Sequence, residues 1–232
     1  PGETLEFDID AIGAKAGRMT TRVLALRDGL LPVEVEVETN TFFSKIRRVR
    51  GQAVTSMNPK TLRPTRYYED AKENDTHRIA EVSFRKDRSA RLVSTVDSKT
   101  GVVDLQGGNE VVDIASAVFL LRALPLKEGS NVCFDAYGTR KMWRVWGTVL
   151  PREDVSLPIG EFKSWHLAGH AARIDLPNAR REIHMWISDD AARLPLALMG
   201  TIDLGTVRAT MTSIKRPGTR ERRAENKGNL HW

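Results

Sequence analysis

Hydrophobic and polar residues alternate along most of the chain, which is the pattern of β-strands with one face in a core and one in solvent. The clearest example is residues 33–38, Val-Glu-Val-Glu-Val-Glu, which place three valines on one face and three glutamates on the other. Residues 5–12 alternate in the same way. The pattern therefore predicts a sheet with one wet face.

One segment, residues 113–124, has helical periodicity instead. Ile114, Ala117, Val118 and Leu121 fall at spacings of three and four. Asp113 can accept hydrogen bonds from the first turn, and the proline at 125 disfavours helical geometry at the residue before it. Apolar residues at 119 and 120 extend beyond this stripe, so we expect other elements to surround the helix.

Strands separated by polar turns are predicted on both sides of the helix. The predicted strands are residues 5–12, 18–27, 33–38, 52–57, 65–71, 77–85, 90–97, 131–137, 141–150, 162–174, 181–188, 194–203 and 206–215, with a short piece ending at 160. Residues 41–50 are predicted to be a short helix or an irregular connection.

A flat sheet of this size would leave long exposed edges, so we expect it to curl. The predicted fold class is all-β: a strongly curved antiparallel sheet, or partial barrel, of roughly a dozen strands around one core helix. Residues 1–215 are predicted to form a single domain, followed by a basic tail at residues 216–232.

The charge and hydrophobicity of the chain limit the classes of partner that it is expected to bind. The formal charge is +6, and residues 215–232 hold six Lys/Arg against two Glu, a net +4. This tail is interpreted as a solvated arm or, alternatively, as a segment that binds an anionic surface. Basic and acidic residues nearly balance elsewhere, so no nucleic-acid partner is expected. No apolar run reaches the roughly 18–20 residues that span a bilayer, so a membrane-spanning chain is not expected.

Candidate chemical groups do not form a catalytic motif. The single cysteine, Cys133, lies in an apolar run and is interpreted as a buried, inert thiol. His166 and His170 lie four apart, too far along a strand to share a metal ion, so neither a metal site nor a cofactor is predicted. Asp189 and Asp190 are better explained by a turn than by acid-base work. The sequence therefore favours a protein that is not an enzyme.

Seven short segments together resemble a known family. They are Gly-Glu-Thr-Leu-Glu-Phe-Asp from residue 2, Gly-Ala-Lys-Ala-Gly from 13, Phe-Ser-Lys from 43, Asn-Pro-Lys-Thr-Leu from 58, residues 113–125, residues 155–162 with Pro-Ile-Gly-Glu-Phe, and residues 186–195. In order and spacing they resemble the bacterial family catalogued as domain of unknown function 3108. The resemblance implies an exported protein, periplasmic or outer-membrane-associated, whose signal sequence has been removed, and it implies no catalytic residues.

The closing strands are also similar to the lipoprotein localisation factors, whose half-open barrel holds acyl chains. That similarity implies a non-enzymatic envelope protein that holds an apolar or lipid-like ligand between helix and sheet. The ligand-binding residues expected on this basis are Val118, Leu121, Met142, Trp186 and Leu198.

A binding module for an anionic polysaccharide, using outward-facing arginines and an exposed tryptophan, stays open as an alternative. So does a structural subunit that contacts another envelope protein.

Overall fold

The computed structural model describes residues 1–106, 109–138, 141–203 and 205–224. Strands of the first half are β1 Thr4–Ala11, β2 Ala14–Val23, β3 Leu31–Thr39, β4 Val49–Met57, β5 Pro64–Glu73, β6 Thr76–Phe84, β7 Ser89–Val96 and β8 Lys99–Gln106, with a short 3-10 helix at Phe43–Lys45. Then come β9 Val111–Asp113, helix α1 Ile114–Ala123, β10 Asn131–Gly138, β11 Lys141–Val149, β12 Glu153–Leu157, β13 Gly160–Arg173, β14 Arg180–Ser188, β15 Pro195–Ile202, β16 Gly205–Lys215 and β17 Arg222–Arg223.

Hydrogen bonds join the strands into one continuous ladder. From β8 the order runs back through consecutive hairpins to β1, which pairs with β16. From β16 it runs through β15, β14 and β13 to β11, β10 and β9. The pairs are antiparallel except β9 with β10, which is parallel because the helix connects them.

The sheet is rolled, so that its two ends meet through side chains. Ala80 and Val82 of β6 pack in one cluster with Val111 of β9 and Tyr137 of β10. The opposite side of the same β9–β10 edge contacts the helix, where Val112 packs with Ala117. The β9–β10 edge therefore lies between α1 and the β6–β7 part of the sheet, and both of its faces are buried.

A buried polar network fixes the start of α1. The carboxylate of Asp113 accepts hydrogen bonds from the Ser116 amide at 3.0 Å and from the Thr55 hydroxyl of β4 at 2.7 Å. The Ser116 hydroxyl lies 2.8 Å from the same carboxylate and accepts from the Asp113 amide at 3.1 Å. Asp113 is thus both the helix cap and the tie between α1 and β4.

An ion pair fixes the other end of the helix. Arg122 donates two hydrogen bonds to the Glu3 carboxylate, at 2.7 and 3.0 Å, and its Nε donates to the Arg193 carbonyl at 2.8 Å. Both charged side chains are nearly buried, with 11% and 12% exposed. Such a shielded bidentate pair holds its partners much more firmly than a surface pair does.

The predicted fold class is confirmed, and the helix begins and ends within one residue of the expected bounds. The expectation of a buried Cys133 is wrong, because this residue lies in the exposed first part of β10. The sequence missed three strands: β8, β9 and β17. Strand β8 is exposed on both faces, so its residues show no alternation, and β9 is only three residues long and buried on both faces. In the predicted basic tail, β17 pairs with Ser213 and Ile214, while residues 225–232 lie outside the described residues.

Among the described residues, no helix is long and apolar enough to cross a membrane.

Replacing Asp113 tests the network at the helix start. Asp113→Ala leaves the Thr55 hydroxyl and the Ser116 amide without their buried acceptor, so we expect the free energy of unfolding to fall by about 1–3 kcal/mol. Asp154→Ala, at an exposed carboxylate of β12, serves as control and should change little. Urea unfolding at neutral pH measures both, and equal values for the two variants would contradict the proposed role.

The substitution Asp113→Asn keeps a capping side chain at the start of the helix and removes its negative charge. Burial raises the pKa of Asp113 above its usual 3.8, against the effect of its hydrogen bonds. The folded protein therefore binds the proton of the Asp113 carboxyl group more tightly than the unfolded chain does. The free energy of unfolding of the wild type then falls as pH rises from 3.8 through the raised pKa of the folded state. We expect the stability of Asp113→Asn relative to wild type to improve from about pH 3.5 to about pH 7.

Candidate ligand-binding site

A cavity of about 230 Å³ lies between one side of α1 and the strands β10, β11, β13, β14 and β15. From the helix, Ile114, Ala117, Val118 and Leu121 form its roof. The lining residues of the sheet are Val132, Phe134, Ala136, Trp143, Val145, Trp146, Gly147, Leu167, Ala168, Gly169, Ala171, Ile183, His184, Met185, Leu198 and Met199. His184 is the one ionisable residue among them. Ile114 is 51% exposed and therefore stands at the opening.

Two glycines form the floor of the cavity. Gly147 of β11 and Gly169 of β13 are direct partners in the register of these strands. A Cβ at Gly169 would overlap the backbone oxygen of Trp146, and a Cβ at Gly147 would lie 2.6 Å from the backbone oxygen of Ala168. The close approach of the two strands thus requires glycine at both positions, and it leaves no side chain to fill the space under the helix.

A second, larger hollow lies on the opposite side of α1. This basic groove, of about 620 Å³, is wide open and is lined by Phe119, Arg122, Arg193, Arg216, Glu3 and a few apolar and small residues. The Glu3 carboxylate pairs with both Arg122 and Arg216, and it lies 3.4 Å from Nε of Arg216. Its lining holds three guanidinium groups and one carboxylate, and Arg193 also lies 3.9 Å from Asp189, so the groove keeps an excess of positive charge.

Three of the five residues predicted from the sequence line the cavity: Val118, Leu121 and Leu198. Met142 does not, because it belongs to the buried cluster between β11 and the β6–β7 part of the sheet. Trp186 lies on the outer face of β14, where its ring stacks on His166 with centroids 4.4 Å apart. The sequence reasoning missed the glycine pair, although Gly147 and Gly169 stand inside two predicted strands, where glycine commonly marks a close approach.

The histidines predicted not to share a metal ion have separate partners. His166 contacts His184 across β13 and β14, with Nε2 to Nδ1 at 2.8 Å, and His170 stacks on Trp146. Among the described residues, no group of three or more His, Cys, Asp or Glu is arranged to hold a metal ion.

Both aspartates of the 189–190 pair have structural partners. Asp189 accepts a hydrogen bond from the Trp165 indole at 2.7 Å and pairs with Arg152 at 3.0 Å. Asp190 accepts from the Ala192 and Arg193 amides and from the Ser188 hydroxyl, as a turn residue does.

Comparison with known proteins identifies a family and a fold. The sequence profile of the family described as "Protein of unknown function (DUF3108)" matches residues 6–212. No curated protein sequence matches the chain.

A β-barrel-like protein of domain of unknown function DUF1849 from Brucella abortus has a similar structure, with a TM-score of 0.62 at 9% identity over 92% of this chain and 96% of that one. This similarity shows that the two proteins share a fold. Weaker matches are a candidate lipoprotein from Parabacteroides distasonis, with 8% identity and a TM-score of 0.39 over 92% and 95% of the two chains, and a candidate exported protein with YmcC-like fold from Bacteroides fragilis, with 10% identity and 0.36 over 93% and 96%.

Replacing a floor glycine tests the geometry of the cavity. Gly169→Ala forces β11 and β13 apart, and we expect a loss of about 1–3 kcal/mol in the free energy of unfolding. Gly200→Ala on β15 is the matched control, because a Cβ there would meet its nearest neighbour at an ordinary 3.7 Å. Thermal or urea unfolding compares the two, and a Gly169→Ala protein as stable as Gly200→Ala would refute the close approach.

Proposed function

The chain belongs to the family described as protein of unknown function DUF3108, and from that premise we propose that it is a binding protein, not an enzyme. Its ligand is an apolar or amphipathic molecule held in the cavity between α1 and the rolled sheet. The observation that carries this proposal is the cavity itself, an almost wholly apolar space with one ionisable residue in its wall. Pockets for small molecules have this character.

The free-energy cost of leaving the cavity empty supports the proposal that a ligand fills it. Empty core space destabilises proteins by about 24 cal/mol per Å³, so 230 Å³ corresponds to at most about 5.5 kcal/mol, less where the opening admits water. An apolar guest would recover part of this cost by filling the space. The volume lies below the roughly 300–1,000 Å³ of typical ligand pockets, which favours one slender chain or ring over a bulky molecule.

We also propose that the protein works in the bacterial cell envelope after export. The support is the family resemblance, because members of this family look like exported proteins. Fractionation of cells that make the full-length protein, followed by antibody detection, would test this. Recovery in the cytoplasmic fraction alone would contradict it.

A cavity-filling substitution tests the binding proposal. Val118→Phe adds a ring inside the cavity, so we expect it to weaken binding of the neutral fluorophore N-phenylnaphthylamine at least about tenfold. Val103→Phe on β8 is the matched control, since Val103 is 50% exposed and outside the cavity. Native mass spectrometry of gently purified wild type should show an apolar adduct that Val118→Phe lacks. Equal fluorophore binding by both variants, or none by wild type, would refute the proposal.

The basic groove favours a second candidate function, binding of an anionic polysaccharide. Arg216 is the test residue, because its guanidinium is more exposed than that of Arg122 and contacts Glu3 only at 3.4 Å. If this function holds, binding to immobilised anionic glycans should fall in high salt and drop about tenfold in Arg216→Glu. Arg91→Glu, at an exposed arginine of β7, is the control. Glycan binding that depends neither on the salt concentration nor on Arg216 would show that the basic groove is not the binding site.

A further inference from the structure

Strand β8 has one free edge. It pairs with β7 along its whole length, and within the described residues no strand pairs with its other side. The other strands that have a single neighbour are shorter: β9, β12 and β17 have three, five and two residues, against eight in β8. The free edge of β8 is therefore the longest unpaired strand edge in the part of the chain that the structure describes.

The hairpin turn determines which backbone groups face this free edge. Asp97 and Ser98 form a two-residue turn in which both have positive φ, and Val96 lies opposite Lys99 across it. The pair that flanks such a turn is hydrogen-bonded, and hydrogen-bonded pairs alternate along an antiparallel ladder. The odd-numbered residues of β8 thus bond to β7. The even-numbered residues point their amides and carbonyls to the free edge: Thr100, Val102, Asp104 and Gln106.

Strand β8 lacks the features that usually protect an edge, which are proline, bulges and charges along the strand. It contains no proline, its register with β7 is continuous, and its one lysine, Lys99, stands at the first position. Asp104 is already paired with Arg85 at 2.9 Å. Val102 and Val103, at the centre and on opposite faces, are 51% and 50% exposed. A strand that paired here would therefore bury apolar surface on both faces.

A second copy of β8 fits the free edge best in one antiparallel register. A two-fold axis perpendicular to the sheet brings together residues of the same face. With Val102 on the axis, Val102 lies opposite its own copy and Thr100 lies opposite Asp104 of the other copy, in both cases with the outward backbone groups. An axis at Val103 would place the two Asp104 carboxylates diagonally next to each other, and an axis at Gly101 would bring two glycines together at the centre.

The side chains are complementary in the register centred on Val102. Val102 is the cross-strand partner of Val93, so the row formed by these two valines continues into the same row of the second copy. On the other face, Val103 lies opposite Gly101 of the second copy. A side chain at Gly101 would meet no atom within 4 Å, so there is open space beside it. Pairs that are not hydrogen-bonded are the closer ones, so the valine can fill this space.

The same arrangement closes on itself. The strand at the other end of the ladder, β9, is buried on both faces, so β8 of one molecule cannot add to β9 of the next. Pairing about a two-fold axis uses both free β8 edges and leaves no long edge for further growth. Each copy contributes one strand, which makes a small interface. A weak dimer that depends on protein concentration is the expected result.

We infer that the protein forms a two-fold dimer in which β8 pairs in antiparallel register with β8 of a second copy, with Val102 at the axis. The inference does not depend on the cavity or on its ligand.

Sedimentation velocity over a range of protein concentrations tests the association. Wild type should shift from monomer to dimer as its concentration rises. Val102→Lys places two like charges opposite each other at the axis, so its dissociation constant should be at least about fivefold higher. Leu26→Lys, at a 57% exposed residue between β2 and β3, is the matched control and should associate like wild type. A monomeric wild type would overturn the inference, and so would a Val102→Lys protein that dimerises equally well.

Cysteine cross-linking tests the register, in a Cys133→Ser background because the native thiol is exposed. Val102→Cys brings two thiols together at the axis, on Cα atoms about 5.5 Å apart, so a short bis-maleimide should join them. Thr100→Cys lies about 14 Å from its own copy and should not react alone. Mixed with a tagged Asp104→Cys protein, it should give a cross-linked heterodimer.

Two cross-linking results would contradict the proposed pairing. Equal cross-linking of Thr100→Cys alone and of Val102→Cys would overturn the register. Absence of a Val102→Cys product in a protein that sediments as a dimer would overturn β8 as the interface, and would leave its edge to a strand of a different protein.

Discussion

The buried carboxylate of Asp113 is the interaction on which the rest of the structure depends. The chain must change there from a strand buried on both faces to a helix, and the free amides of the first turn need acceptors that water cannot supply. Asp113 and Ser116 satisfy them reciprocally, and Thr55 joins the same carboxylate to β4. Strand β4 belongs to the first half of the sheet and β9 to the second. The Asp113 side chain therefore links the two halves of the rolled sheet beside the helix.

The cavity follows from how the helix is held. Asp113 fixes one end and the Arg122–Glu3 pair fixes the other, so α1 cannot settle onto the strands below it. The strands across the cavity contribute Gly147, Gly169 and Ala171, whose side chains are too small to fill the space. Removing one partner of a buried ion pair typically costs about 3–5 kcal/mol, and loss of the Asp113 network costs about 1–3 kcal/mol more, so moving the helix ends costs about as much as keeping the space empty.

The sequence was sufficient for the fold class because strand alternation and helical periodicity are local signals. It placed α1 within one residue and most strands correctly. It could not place Met142 or Trp186, because alternation shows which residues share a face but not what covers that face. In the rolled sheet the end of β11 that carries Met142 packs against β6 and β7, so Met142 is part of the core and does not line the cavity. The hydrogen bond between His166 and His184 joins β13 and β14, and no local pattern in the sequence reports such a contact.

The two fixed ends of the helix also determine which part of the wall can move. Lifting α1 would expose the Asp113 carboxylate network and the Arg122–Glu3 pair together, which makes the helix a poor lid. The opposite wall is held differently: β13 and β14 present apolar residues to the cavity, and on the outer face the rings of His166, His184 and Trp186 lie against one another. Ligand exchange through a shift of that wall would leave the core beneath β6 and β7 undisturbed. In the proposed function the apolar side of β13–β14 supplies the affinity for a guest, because it faces the cavity, while the outer side carries the contact between His166 and His184.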